Sequence, residues 1–557
     1  MRSRIVLGCV FVGFSCGGGG SGPIDASRDV SVDVTLDAGD AGDAAVVELR
    51  ECDGDFVVTT QAELEALRGC TRISGSLSAS GVSSLDPLSF LASIGGDFEL
   101  SDASIRTAAG LEALTSVGGT LRLEDLDALV NVAGLSSLTA VGGDLEVSDN
   151  DALTSFAGMA LSEFGGALSI RSHRFLENLR GLEGVTRVRS LTIEENGGLV
   201  SLEGLSGLRE VEGDATVAGH LLLGDVEGLR SLESVGGQLS LIRNWILGDV
   251  EGLRSLRSVG GNLILDRDVE LSSLDGLEAL RTVSGLIALA EIGSLTSIEA
   301  LAGVTEFGGL TIRDSALLVS LDGVPAIATL DQLRFEGTSS LADLDALANV
   351  REIRGDLIFS GCRAVTTLAA LSELETVRGE IRVEETGLAS LSGLENVTGA
   401  VRALRVADNE ALTSVAGLGG VSALGDLTIE GNPQLATLEG LPAASNLQVL
   451  RIANNAALTD LQGLEAASRT LGVEVVNNAR LARLRGLAAL SIVGEDLTIE
   501  ENPALVDLAD LPPVDRIGRN LVVRNNEMLS SCEVDRYAGT VVFLGGSVMN
   551  EGNGACP

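Results

Sequence analysis

The chain has 557 residues, a formal net charge of −41, only 3% aromatic residues, 70 Gly and 9 Pro, and all of its basic side chains are Arg. So large a negative excess repels phosphate backbones and anionic headgroups, which argues against nucleic acid as a partner. Abundant Gly with scarce Pro suits recurring tight turns.

Residues 1–16 read MRSRIVLGCVFVGFSC. Arg2 and Arg4 precede an apolar run, Ile5 to Phe14, too short to cross a bilayer as a stable helix. Cys16 is followed by GGGGSG and by an acidic stretch with DAGDAGD at 37–43. This order resembles a bacterial lipoprotein precursor. The resemblance implies export, acylation of Cys16 and a lipid anchor in the cell envelope, at the outer membrane or cell surface. Gly13 stands where such signals usually carry Leu, and ordinary cleavage with secretion is the alternative. Residues 17–50 hold too few large apolar side chains for a core and read as a flexible acidic linker. The Asp-x-x-Asp spacing lacks the ligand pattern of a calcium loop, and no metal or cofactor site is expected.

Residues 51–70 read as an N-terminal cap. Thr60-Gln61-Ala62-Glu63 is a capping-box pattern, which predicts a short helix from Gln61 to about Arg68. Export implies an oxidising compartment, so Cys52 is expected to pair with Cys70, and Cys532 with Cys556 in a C-terminal cap over 532–557.

Between the caps, residues 71–531 repeat. LGDVEGLRSLESVGG at 223–237 returns as LGDVEGLRSLRSVGG at 247–261, and the generic unit is V-x-G-x-L-x-I-x-x-N-x-x-L-x-x-L-x-G-L-x-x-L. A fixed period of this size marks a solenoid. The expected fold is mainly β: a single long parallel β-helix of about 19–20 coils of 23–24 residues. The alternating L-x-I segments read as strands. Three residues after each Ile lies a position occupied by Asn150, Asn196, Asn244, Asn409, Asn432, Asn455, Asn478, Asn502 and Asn526. Asn there can turn its amide inward to satisfy backbone groups of the bend, forming a ladder along the stack. His173 and His220, the only histidines, and Cys362 occupy the same position, so they read as substituted structural rungs. Two coils apart, the histidines would be roughly 10 Å from one another, too far to share a metal. The second Gly of V-G-G (Gly237, Gly261) reads as a bend needing positive φ or close packing.

With Cys52, Cys70, I-S-G-S-L at 73–77 and the recurring V-G-G-x-L-x-I-x-x-N and L-x-G-L in view, the chain resembles receptor L-domains. It also resembles bacterial surface lipoproteins built of the same coils; leucine-rich repeats are near relatives in pattern. That resemblance implies a ligand-binding β-solenoid. The outward strand positions carry alternating charge, such as Arg171 beside Glu194 and Arg313 beside Glu336. Small or apolar side chains replace them at Ala218, Ile242, Ile264, Ala288 and Ala290, with Trp245, the only Trp, just beyond. A contiguous apolar patch on a charged face can mark a partner site. The chain is therefore expected to be a non-enzymatic recognition or adhesion scaffold at the cell surface, with a protein or glycan ligand. The alternatives are a structural envelope or matrix component and a β-helix polysaccharide lyase or hydrolase, the last disfavoured by the lack of Lys and of aromatic rings.

Overall fold

The computed structural model describes residues 47–556; Cys16, the signal-like segment and most of the linker lie outside the described residues. The described chain winds into a single parallel β-solenoid of about 22 turns, mainly β, with a disulfide at each end. Among the described residues no helix is long and apolar enough to cross a membrane.

One coil shows how the sequence builds the turn. In Leu191–Glu194 the alternation puts Leu191 and Ile193 inside and Thr192 and Glu194 on the outer face. The chain then bends at Asn196 and drops Leu199, Leu202, Leu205 and Leu208 into the interior, each fully buried. It closes through the short strand Glu210–Val211. The next coil stacks in register: Leu145, Leu168, Leu191, Ala215 and Leu239 follow one another across parallel strands. A lone coil has no second layer to bury its leucines against, so the interface between neighbours carries the stability. At about 4.8 Å per strand, the stack is roughly 100 Å tall.

The stack runs further than the repeat over residues 71–531 suggested. Phe56–Val58 and Leu77–Ser80 already pair as the first two long strands. At the far end Val548–Glu551 pairs with Leu521–Arg524. The sequence of that last strand, V-M-N-E, carries no L-x-I and so escaped the pattern. The caps are therefore themselves coils.

The N-terminal helix spans Gln61–Glu65, shorter than expected, and its capping box is complete. The disulfides Cys52–Cys70 and Cys532–Cys556 close loops of 18 and 24 residues, each contributing about 3 kcal/mol on the chain-entropy account. A second helix, Ser531–Ala538, buries Val534 and Tyr537 over the last turns.

Every non-Gly residue with positive φ stands immediately before a rung: Asp102, Asp149, Glu195, Arg243, Arg267, Glu291 and Glu501 are examples. The long strand ends in one left-handed residue, which swings the next side chain inward. Gly219, Gly337, Gly361 and Gly431 take the same position without steric cost. Glu501→Gly is expected to strengthen its coil by about 1 kcal/mol, read as slower amide exchange at Asn502. Glu501→Val should do the reverse. The V-G-G bend, by contrast, uses close packing and not positive φ. A Cβ on Gly237 would fall on the Asp214 carboxylate.

Candidate functional site: the buried ladder and the ridge beside it

The rungs are buried, the Asn, His and Asp members fully so. From Asn409 onward the ladder is continuous. The backbone N–H of Asn432 donates to Asn455 Oδ1 at 3.2 Å, that of Asn455 to Asn478 at 3.0 Å, and that of Asn502 to Asn526 at 3.0 Å. Each Nδ2 donates to the carbonyl of a core residue on the coil before, as Asn455 does to Ile429 at 2.9 Å. Asn553 extends the series by one, accepting from the Asn526 N–H at 3.0 Å.

Upstream the ladder is broken and titratable. His173 Nδ1 accepts from the Asn150 N–H at 3.1 Å, while its buried Nε2 has no partner. Burial holds this imidazole down at about 4, against weaker opposition from neighbouring backbone groups and from Asp149 and Asp151. His220 sets its two ring nitrogens 3.3 Å from the Asn196 carbonyl and 3.2 Å from that of Ile193, and burial lowers it too. Asp268 takes the Asn244 N–H on Oδ1 at 2.8 Å, and its buried Oδ2 has no partner. Burial pushes this carboxyl up to about 7. Cys362 is a buried free thiol, 3.2 Å from Thr338 Oγ1 and raised by burial.

On the outer face of the sheet the expected apolar patch is only partly present. Ala218 is buried, at 7% exposure, and offers no contact surface; its methyl lies between Glu194 and Ile242 of the adjoining strands and is covered. Ile242, Ile264, Ala288 and Ala290 are half-buried, and Asp266 stands beside Ile242 in register. Elsewhere the face is a lattice of Arg–carboxylate pairs. Arg171 meets Glu194 at 3.5 Å. Arg313, opposite Glu336 in register, pairs instead with Glu291 at 3.7 Å. A shallow depression of about 390 Å³ there is lined by Arg122, Glu124, Glu146, Ser148, Ser169 and Arg171, its charges already paired through Arg122–Glu146 at 2.6 Å.

A run of exposed apolar side chains lies at the flank, around Trp245. On most coils the two residues after the rung are small or polar, as in Asp151-Ala152 and Ala456-Ala457. On the coils from His173 to Asn244 they are Phe175, Leu221, Leu222, Trp245 and Ile246, between 46% and 57% exposed. Val200 joins them at 48%, and Gly197-Gly198 leaves a notch between Phe175 and Leu221. Leu317 and Met528 are comparable residues on isolated coils. Arg174 lies 5.3 Å over the Phe175 ring, and the exposed Arg243 precedes the rung of the Trp245 turn. Neither has an ion-pair partner among the described residues, unlike Arg171 and Arg267 nearby.

Sequence reading had singled out Trp245 but missed the rest of this ridge, although its signal was there: large apolar residues in two slots that other coils fill with Asp, Ala or Gly. It also missed a second ladder. The Asp or Asn after the V-G-G bend, or after its I-G-G and V-G-E equivalents, accepts a backbone N–H from the coil above, as in Asp97 with Thr120 at 2.7 Å, Asp144 with Ala167 at 2.7 Å and Asp496 with Asn520 at 2.8 Å.

No protein-family model matches the chain, and no curated protein matches it. Solved structures do. Toll of Drosophila, in its complex with Spatzle, is 14% identical over 88% of this chain and 64% of that one, with a TM-score of 0.32. The chain thus spans under two thirds of the Toll chain. An internalin from Listeria monocytogenes is 14% identical over 81% of this chain and 86% of its own, with a TM-score of 0.18. The leucine-rich-repeat protein from Leptospira interrogans is 13% identical over 86% of this chain and 91% of its own, with a TM-score of 0.21. Superpositions this loose add nothing to the fold, which the parallel strand pairing defines.

Proposed function

We propose that this protein is a non-catalytic recognition scaffold, exported and tethered through Cys16, that docks a protein partner on the flank ridge. The observation that supports the reading is the clustering of Phe175, Leu221, Leu222, Trp245 and Ile246 on neighbouring coils, in slots that most other coils fill with small or polar residues. Contiguous exposed apolar side chains with an aromatic anchor are the usual make-up of a protein-binding patch. The unpaired Arg174 and Arg243 favour a partner segment that sets carboxylates beside its apolar side chains. Both histidines are buried rungs, out of reach of a substrate, which speaks against a hydrolase or lyase. The two disulfides agree with export.

The test is cross-linking capture from intact cells. Leu221→Asp with Ile246→Asp is expected to abolish recovery of a defined partner while the circular dichroism of the solenoid stays unchanged. Ile242→Asp with Ile264→Asp on the sheet face should weaken capture less. Recovery insensitive to the ridge substitutions but abolished by a chelator would overturn the reading in favour of a cation-linked matrix component.

A further inference from the structure

We propose that the ridge is under proton control: the buried rungs that hold its turns, His173 beside Phe175 and Asp268 beside Trp245 and Ile246, exchange firmness as the medium passes from neutral to mildly acidic. Its meaning for partner docking rests on the functional reading above; its physical content does not.

Two observations converge. Apart from Cys362, the titratable rungs are His173, His220 and Asp268; the first two fall on the run of coils that carries the ridge, and Asp268 on the coil directly after it. Phe175 follows His173 by two residues, and Leu221 and Leu222 follow His220 directly. Trp245 and Ile246 follow Asn244, whose N–H is held by Asp268 Oδ1 at 2.8 Å, and the Trp245 N–H donates to the His220 carbonyl at 3.1 Å.

The second observation is what each rung must donate or accept. An Asn rung places Nδ2 against a carbonyl of the preceding coil, as Asn244 does with Val217 at 3.1 Å and Asn502 with Val475 at 2.9 Å. In Asp268 the second carboxyl atom is Oδ2, an acceptor, buried and unpartnered. Only the protonated acid can supply the donor an Asn rung supplies. His173 has the opposite need: Nδ1 must keep its lone pair to accept the Asn150 N–H, and an imidazolium has none to give.

The surroundings do not cancel either demand. Asp268 is flanked by the uncharged Asn244 on the coil before and by the apolar rung Ile292 on the coil after. The one charge acting on it is that of Asp266 on its own strand, which disfavours ionisation further. Arg267 is engaged at the exposed corner by Glu291 at 2.8 Å. His173 meets Asp149 and Asp151 on the preceding coil, whose pull toward the charged form is outweighed by burial, and Asn196 on the following one, whose Oδ1 accepts its N–H at 3.1 Å. His220 lies between Asn196 and Asn244, with both ring nitrogens on carbonyls. Protonation costs it no acceptor bond.

The signs follow by linkage. Asp268 is raised from 3.8 to about 7, so its rung is firmest below 3.8 and loosens as the pH rises to 7. His173 is lowered from 6.5 to about 4, so its rung is firmest above 6.5 and loosens as the pH falls to 4. Each unit inside these windows is worth a factor of about ten in local opening. Acidification from pH 7 to 5 should tighten the Trp245 turn about fiftyfold and loosen the seat of the His173 turn on the Asn150 coil about twentyfold.

The experiment is residue-resolved amide exchange on the full chain at pH 5, 6 and 7, corrected for intrinsic rates, with emission from the single tryptophan as a second readout. Protection at Asn244 should fall with rising pH while that at Asn150 rises. Asp268→Asn should flatten the first profile alone and His173→Asn the second alone. Both substitutions install the residue that recurs most often at the rung position, so folding is expected to be preserved. Asp266→Asn should leave the direction of both. Flat profiles in the unsubstituted protein, or profiles that survive Asp268→Asn and His173→Asn, overturn the proposal. The profiles need no partner, so their failure is distinct from a failure of the ridge substitutions to abolish capture.

Discussion

Replacing Asn478 by Leu is expected to destabilise the solenoid by about 3–6 kcal/mol, although the side chain changes little in size and becomes apolar in an apolar interior. Asn478 Oδ1 accepts the Asn455 N–H at 3.0 Å, and its Nδ2 donates to the carbonyls of Ile452 at 3.0 Å and Val476 at 3.1 Å. Leucine would leave these three backbone groups without that partner in a dry interior, at about 1–3 kcal/mol each. The loss should be read locally first. Amide exchange ought to accelerate on the coils from Asn455 to Asn502, with a lower thermal midpoint for the whole stack. Unchanged exchange at Asn455 would show the ladder to be dispensable.

Gly204→Ala should cost about 2–5 kcal/mol for the addition of one methyl group. Gly204, the glycine of L-x-G-L, has φ +118°, a conformation L side chains rarely adopt. Its Cβ would also fall on the carbonyl oxygen of Leu179 in the coil before. Strain and overpacking add because backbone cannot give way as a flexible side chain can. Gly224→Ala is the control: it has ordinary φ and nothing within 4 Å of the added carbon, and it should be near neutral. Thermal unfolding of the two proteins side by side checks the pair.

What the sequence made legible was what repeats. A period of 23 or 24 residues with inward Leu at fixed spacing specifies the parallel stack. The identity of Asn150 or Asn478 told that a polar atom was needed inside. The disulfide-closed ends were readable because a terminal coil exposes one apolar face. What stayed hidden was set by position and not by residue type. The left-handed corner accepts Asp102, Arg243 and Glu291 alike, so no single residue type announces it. The outward strand register points to Ile242 and Ile264, whereas it is past the corner, just after the rungs, that Leu221 and Ile246 project into solvent. Ala218 misled for the same reason: its place in the outward register says nothing about how much larger neighbours shade a methyl group.

Each interior coil touches the one before it and the one after it, at a separation of 23 or 24 residues, as in Asn432 with Asn455 and Asn478 with Asn502. Nothing in such an arrangement measures its own length. A segment of whole-coil size can be copied into the gene and find a matching seat above and below, which the near-identical stretches at 223–237 and 247–261 illustrate. A segment of another size has to be taken up in a bend, as in the end coils, where Phe56 pairs with Leu77 and Leu521 with Val548. The molecule's reach is thus open to change by simple copying, while its width and interior are not.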